Sequence, residues 1–217
     1  MLFLAGLCPM LAGNELFSGG KSDWRIVIPE NAGGTVRYAA EELRDALKKI
    51  SGIEFPVQEN DAGGTSNRIL IGDLSWSVVK AKAADLKLAD SPVEEVAIYT
   101  LDNDLYLVGN TSRGALYAVY TFLQDQLGVR WLRPGVKGEY MPYLGSYRLP
   151  ALVINKTPSF RYRGLHLCFR HVDPEFETWM ARNFINIMRS GAGEPKVLAE
   201  RKKKGYHIMI SGHSAHL

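Results

Sequence analysis

At 217 residues, 46% of them hydrophobic and 23% charged, the chain has the length for one or two globular domains and too much apolar content to remain disordered. Its formal net charge is only +3 and its basic residues are interleaved with acids, which argues against a nucleic-acid-binding face. The one basic run, residues 201–204, reads as a solvated loop.

Residues 1–13 (MLFLAGLCPMLAG) are apolar and end in small residues, as the hydrophobic part of a secretory signal does, although the basic start is missing. The stretch is too short to span a bilayer. Residues 1–20 are therefore assigned as a signal-like segment, and a secreted or periplasmic location is expected, with no membrane span. Of the two cysteines, Cys8 lies in that segment and Cys168 far from it, so no disulfide framework is expected. No metal-ligand spacing and no cofactor motif is present in the sequence.

From Trp24 the pattern of elements becomes legible. Residues 25–29 (RIVIP) form a short β-branched run closed by proline. Val36, Ala40, Leu43, Leu47 and Ile50 then recur at steps of four and three, which predicts an amphipathic helix with Thr35 capping its start and Gly52 just past its end. Residues 55–58 and 68–72 read as further strands, separated by the turn-rich stretch 60–67. A weaker helix is predicted over 75–86. Residues 95–109 (EVAIYTLDNDLYLVG) are two alternating runs joined by Asp102, Asn103 and Asp104, which predicts a tight hairpin. A second amphipathic helix follows over 112–127, ended by Gly128.

This order predicts an α/β domain over residues 24–150, a mixed sheet of about five strands flanked by helices. Residues 134–150, rich in Gly, Pro and Tyr, read as a linker. Beyond residue 158 the sequence predicts a strand over 160–168, a helix over 173–190 started by Asp173 and Pro174, and a strand over 206–210. Strand, helix, strand is the unit that (β/α) barrels repeat eight times. Residues 158–217 are thus expected to be the truncated start of an incomplete barrel.

Barrels place their chemistry at the C-terminal ends of the strands. That rule marks His213, His166, Arg170, His171 and His216 as candidate substrate-binding residues, each also explicable as a surface hydrogen-bonding group. No catalytic residue is assigned. Glycoside hydrolysis needs two opposed carboxylates, and after residue 158 the carboxylates are Asp173, Glu175 and Glu177 at a helix start and Glu194 and Glu200 in a polar loop. Trp76, Tyr140, Tyr143 and Tyr147, in or near loops, are weaker candidates for stacking against a sugar.

Residues 112–135 (SRGALYAVYTFLQDQLGVRWLRPG) resemble the N-terminal domain of α-glucuronidases of glycoside hydrolase family 67, joined to the start of an uncharacterised barrel domain. The stretches RIVIPENAGGTVRYAAEELRDALKKISG (25–52), RILIGD (68–73) and PSFRYRGLH (158–166) extend the likeness over residues 24–217. The resemblance implies a mixed sheet leading into a barrel, carbohydrate as the partner, and a role in polysaccharide breakdown outside the cytoplasm. Related N-terminal domains also precede family 20 hexosaminidase barrels, so the domain does not fix the sugar. In family 67 the catalytic carboxylates lie on later barrel strands, so the expectation is an N-terminal fragment of a secreted glycoside hydrolase, inactive alone. The alternative is a carbohydrate-binding or structural accessory domain.

Overall fold

The computed structural model of the chain describes residues 14–60, 66–165, 173–190 and 195–210. Period-two alternation between the two faces of the main sheet runs along four strands. These are β2 (Arg25–Ile28), β4 (Arg68–Asp73), β5 (Val96–Leu101) and β6 (Asp104–Gly109), and the short β3 (Val57–Glu59), exposed throughout, lies beside β2. With the edge strand β10 (Val153–Lys156) they form a six-stranded mixed sheet in the order β10-β5-β6-β4-β2-β3. Strands β3, β2, β4 and β6 run parallel, whereas β5 is antiparallel to both its neighbours.

One face presents Ile26, Ile28, Ile69, Ile71, Ile98 and Leu107 to two helices, α1 (Gly34–Ser51) and α3 (Ser112–Asp125). The opposite face buries Val27, Leu70, Tyr99 and Tyr106 under Trp76, Val79 of the short helix α2 (Ser77–Ala81), Leu86 and Leu88. Helix α1 ends as expected: Gly52 takes a left-handed φ of 74° and its N–H reaches Lys48 O. Its start differs, because Gly33 is the N-cap and makes no side-chain cap bond. Thr35 lies inside the first turn, and its hydroxyl instead donates to Lys202 O at 3.1 Å. The helix expected over 75–86 is confined to Ser77–Ala81, followed by turns that bury Leu86.

The hairpin forms where the sequence puts it. Asp102 and Asn103 both adopt positive φ, 54° and 63°, the geometry that matches the twist of the flanking strands. Behind the turn Asp104, almost fully buried, takes two hydrogen bonds from the Arg68 side chain and one from its backbone N–H. At the far end of β6 the chain reverses into α3 through Thr111, whose hydroxyl accepts from Gly114 N at 3.1 Å. Here Gly109 and Gly114 touch backbone to backbone: a Cβ built on Gly109 would lie 2.4 Å from Gly114 C.

The stretch read as a linker is structured. β7 (Arg130–Trp131) pairs with β8 (Glu139–Tyr140), and β9 (Ser146–Arg148) pairs antiparallel with β1 (Glu15–Ser18), N-terminal to Trp24. Leu16 and Phe17 of β1 are in the core, and Leu149 N donates to Asn14 O at 2.9 Å. Residues 14–20 therefore belong to the folded domain, not to a segment separate from it.

After residue 158 the chain carries more elements than the single strand-helix-strand unit expected. Helix α4 (Pro174–Arg182) is capped by Asp173, which accepts from Phe176 N at 2.7 Å, but it stops at Asn183. Phe184 has φ of 62°, a left-handed turn, and β11 (Ile187–Ser190) follows where the helix was expected to continue. Helix α5 (Pro195–Lys203) and β12 (His207–Ile210) complete the segment. β11 and β12 are parallel, and Gly164 bridges Ile187 in parallel fashion. The basic run 201–204 is mostly helical and ion-paired: Arg201 holds Glu177 at 2.8 Å and Lys203 faces Glu41 at 3.6 Å.

Candidate functional site

Three parallel strand positions, at Gly164, β11 and β12, point the same way, so this segment has a C-terminal end and an N-terminal end with different chemistry. In α/β folds the ligand lies beyond the C-terminal ends. There the sequence continues into residues 166–172, 191–194 and 211–217. His166, Arg170, His171, His213 and His216 all fall in those stretches and lie outside the described residues. Among the described residues no group of three or more metal-ligating side chains is gathered.

The N-terminal ends are fully described, and they form a charged joint with the first domain. Arg163 stands just before Gly164, Asn186 just before β11, and His207 opens β12. All three converge on Glu94, at the foot of β5, which is 3% exposed. Arg113 of α3 donates to Glu94 Oε1, to Gly205 O and to His207 Nε2. Asn186 Nδ2 reaches the same Oε1 at 3.2 Å, Arg163 Nη1 lies 3.7 Å from Oε2, and His207 Nε2 is 4.0 Å from Oε1. Because a guanidinium can only donate, His207 Nε2 must accept, which makes the imidazole neutral.

Burial pushes the Glu94 carboxyl up, but the charge of Arg113, its hydrogen bond and the more distant Arg163 outweigh this and hold it below the usual range. Burial and then the Arg113 charge push the His207 imidazole down. Both groups are depressed in the folded state, so both contribute stability that is whole above their ordinary values and falls away as protons are added. The His207 share starts to be lost below about pH 6.5, and the Glu94 share only in the carboxylate range. The thermal midpoint should therefore drop between pH 7.5 and pH 5, with that slope reduced in His207→Gln. A midpoint flat over that interval would rule out the joint as the acid-sensitive element.

A second joint lies along α4. Arg182 pairs with Glu42 of α1 through two bonds, 2.7 and 3.0 Å, and with Glu139 of β8 at 2.6 Å, while its guanidinium sits 5.2 Å from the centre of the Trp131 ring. Trp179 Nε1 donates to Trp131 O at 2.9 Å, and Phe184 meets Tyr117 edge-on at 5.3 Å. The sequence reading missed both joints, since they pair residues 19 to 140 positions apart. Of the proposed stacking aromatics, Tyr140 and Tyr143 are exposed, Trp76 is buried, and Tyr147 packs on Phe17 with ring centres 6.2 Å apart.

The fold of the chain is similar to that of solved glycoside hydrolases. Over 91% of this chain it superposes on a family GH115 4-O-methyl-α-glucuronidase, BtGH115A, with specificity for decorated arabinogalactans, at a TM-score of 0.61 and 16% identity. It superposes on the Streptomyces plicatus N-acetyl-β-hexosaminidase over 92% (TM-score 0.53, 14% identity) and on the Flavobacterium johnsoniae chitobiase FjGH20 over 90% (0.50, 16%). The chain spans 29%, 42% and 32% of these three structures, in that order. A match over 91% of the residues necessarily runs past residue 158, so the likeness includes the βα segment as well as the sheet. Residues 18–122 match the family described as glycosyl hydrolase family 67 N-terminus. No curated protein sequence matches the chain. No helix among the described residues is long and apolar enough to cross a membrane.

Proposed function

We propose that the chain is the N-terminal part of an α-glucuronidase-like glycoside hydrolase that acts in polysaccharide breakdown, with residues 158–217 opening its catalytic (β/α) barrel. The observation that supports this most is the pair of joints at Glu94 and Arg182, which dock parallel βα units onto a family 67 N-terminal-type domain at a fixed orientation. Carbohydrate would then bind beyond the C-terminal ends of the parallel strands, where His213 and His166 are the first candidates to touch it, followed by Arg170, His171 and His216. Export, to the periplasm or outside the cell, is supported by the apolar residues 1–13.

Bond cleavage needs a donor acid and a second carboxylate across the scissile bond. Past residue 158, Asp173 is occupied as a helix cap and Glu177 is ion-paired to Arg201 and Lys204. Neither is at a strand end. On this reading the 217-residue chain shows no turnover of aldouronic oligosaccharides from glucuronoxylan. Clear release of uronic acid by the purified chain would overturn it.

A further inference from the structure

Positive charge is in excess where the parallel strands meet the first domain. After burial, what acts on the His207 imidazole is charge: three guanidinium groups, Arg113, Arg161 and Arg163, push its pKa down, and one carboxylate, Glu94, pushes it up. Three cations facing one anion leave two positive charges uncompensated. The Arg113 and Arg163 side chains are only 16% and 18% exposed, so water screens them incompletely. Such a cluster is stabilised by any anion that can reach it.

The open side of the cluster is at Arg161. Its backbone is anchored, because Asn186 Nδ2 donates to Arg161 O at 2.8 Å. Its side chain is exposed, makes no ion pair among the described residues, and rests on the Tyr162 ring with the guanidinium carbon 5.1 Å from the ring centre. His207 meets the same ring edge-on, the two centres 5.7 Å apart. Tyr162 is 55% exposed and the His207 side chain 39%, so solvent reaches both. Since His207 Nε2 accepts from Arg113, the proton of the neutral ring is on Nδ1, which meets no acceptor among the described residues. A guanidinium fork free to turn, a second N–H donor on the same ring and a surplus of two charges together suit a doubly charged oxyanion. A singly charged anion would cancel only half of that surplus.

We propose that Arg161 and His207 form a binding site for a tetrahedral dianion of the sulfate or phosphate type, held by the Arg161 fork and the His207 Nδ1–H, with Arg113 and Arg163 supplying charge behind them. Arg161 and His207 belong to the parallel βα segment and Arg113 to the first domain, so the bound anion fastens one to the other. The site stands at the N-terminal ends of the parallel strands, opposite the end proposed for the hydrolytic chemistry, and is independent of that reading.

Isothermal titration calorimetry on the full 217-residue chain at pH 7.5 and constant ionic strength tests it, with sodium sulfate and glucose 6-phosphate as dianionic probes and sodium acetate as the monoanionic one. Sulfate is expected to bind with Kd on the order of 1 mM and acetate at least tenfold more weakly. Binding of glucose 6-phosphate as tight as that of sulfate upholds the site and assigns it to phosphate esters; binding of sulfate alone upholds it as a site for the free anion. Arg161→Gln should weaken sulfate tenfold or more while leaving the circular dichroism spectrum unchanged. His207→Phe, which lacks the donor, should weaken it about fivefold and identifies by difference the His207 proton NMR signals, which shift as sulfate is added to the wild-type chain. At ten times its Kd, sulfate should raise the thermal midpoint by about 3 °C in the wild type and not in Arg161→Gln. No saturable binding of sulfate up to about 20 mM, equal binding of acetate, or an affinity unchanged in Arg161→Gln each overturns the proposal. None of these outcomes bears on whether the chain belongs to a hydrolase, which is read by turnover.

Discussion

Gly114→Ala should yield little folded protein, and Gly109→Ala even less. A Cβ on Gly114 would sit 2.5 Å from Glu95 O and 3.1 Å from the Gly109 Cα, and one on Gly109 would sit within 2.6 Å of three backbone atoms of α3. Side chains can rotate away from a new methyl group; a helix backbone cannot move without lifting α3 from β6. Overpacking normally costs about 1 to 3 kcal/mol, and a clash with backbone on both sides belongs at the top of that range or above. The readout is soluble yield followed by urea unfolding. Gly145→Ala is the control, since open space surrounds that position and its φ is not left-handed. Equal stability of Gly114→Ala and Gly145→Ala would refute the argument.

Arg182→Ala is the second large effect. The side chain is 17% exposed and joins Glu42 of α1, Glu139 of β8 and the Trp131 ring, so its loss leaves two partly buried carboxylates facing each other across the joint. Burial alone would lower its pKa, but Glu42 and Glu139 raise it well beyond the usual arginine range, so its charge is fixed at any working pH. Breaking a buried pair by removing one partner costs about 3 to 5 kcal/mol, and the low end applies because Glu139 keeps Lys49 at 2.6 Å. Urea unfolding should show the loss, and a protease should reach the segment around residue 160 sooner. Arg182→Lys should recover less than half, since an ammonium cannot bind both oxygens of Glu42 in parallel. An Arg182→Ala chain that unfolds at the wild-type urea midpoint would show that α4 docks by its apolar contacts alone.

Local grammar carried the first domain. Alternation placed β2, β4, β5 and β6, helical spacing placed α1 and α3, and Gly52 and the Asp102–Asn103 turn fell where left-handed backbone was required. The reading broke where tertiary contacts outweigh local preference. Phe176, Met180, Phe184 and Ile187 continue a helical stripe past Asn183, yet the Asn183 side chain bonds Trp131 O and that of Asn186 bonds Arg161 O and Glu94, which pulls the chain out of helix and into β11. Helix α5 was hidden by its basic residues, whose partners Glu177 and Glu41 are remote in sequence. Likewise, β1, β8 and β9 are only two to four residues long and owe their existence to the strand across from them. The proposed rim histidines rest on a rule about barrels, and nothing in the described residues adds to that rule. The Glu94 joint had no local signal at all: one of two adjacent glutamates preceding a strand gains meaning only once Arg113, Arg163 and His207 surround it.

The β1–β9 ribbon has one further implication. Because Asn14 and Leu149 are bonded to each other, the two ends of the stretch between them meet at one corner, like a loop of thread drawn tight, before β10 adds the sheet's last strand. A stretch tied off in this way keeps its two ends together whatever is attached beyond them.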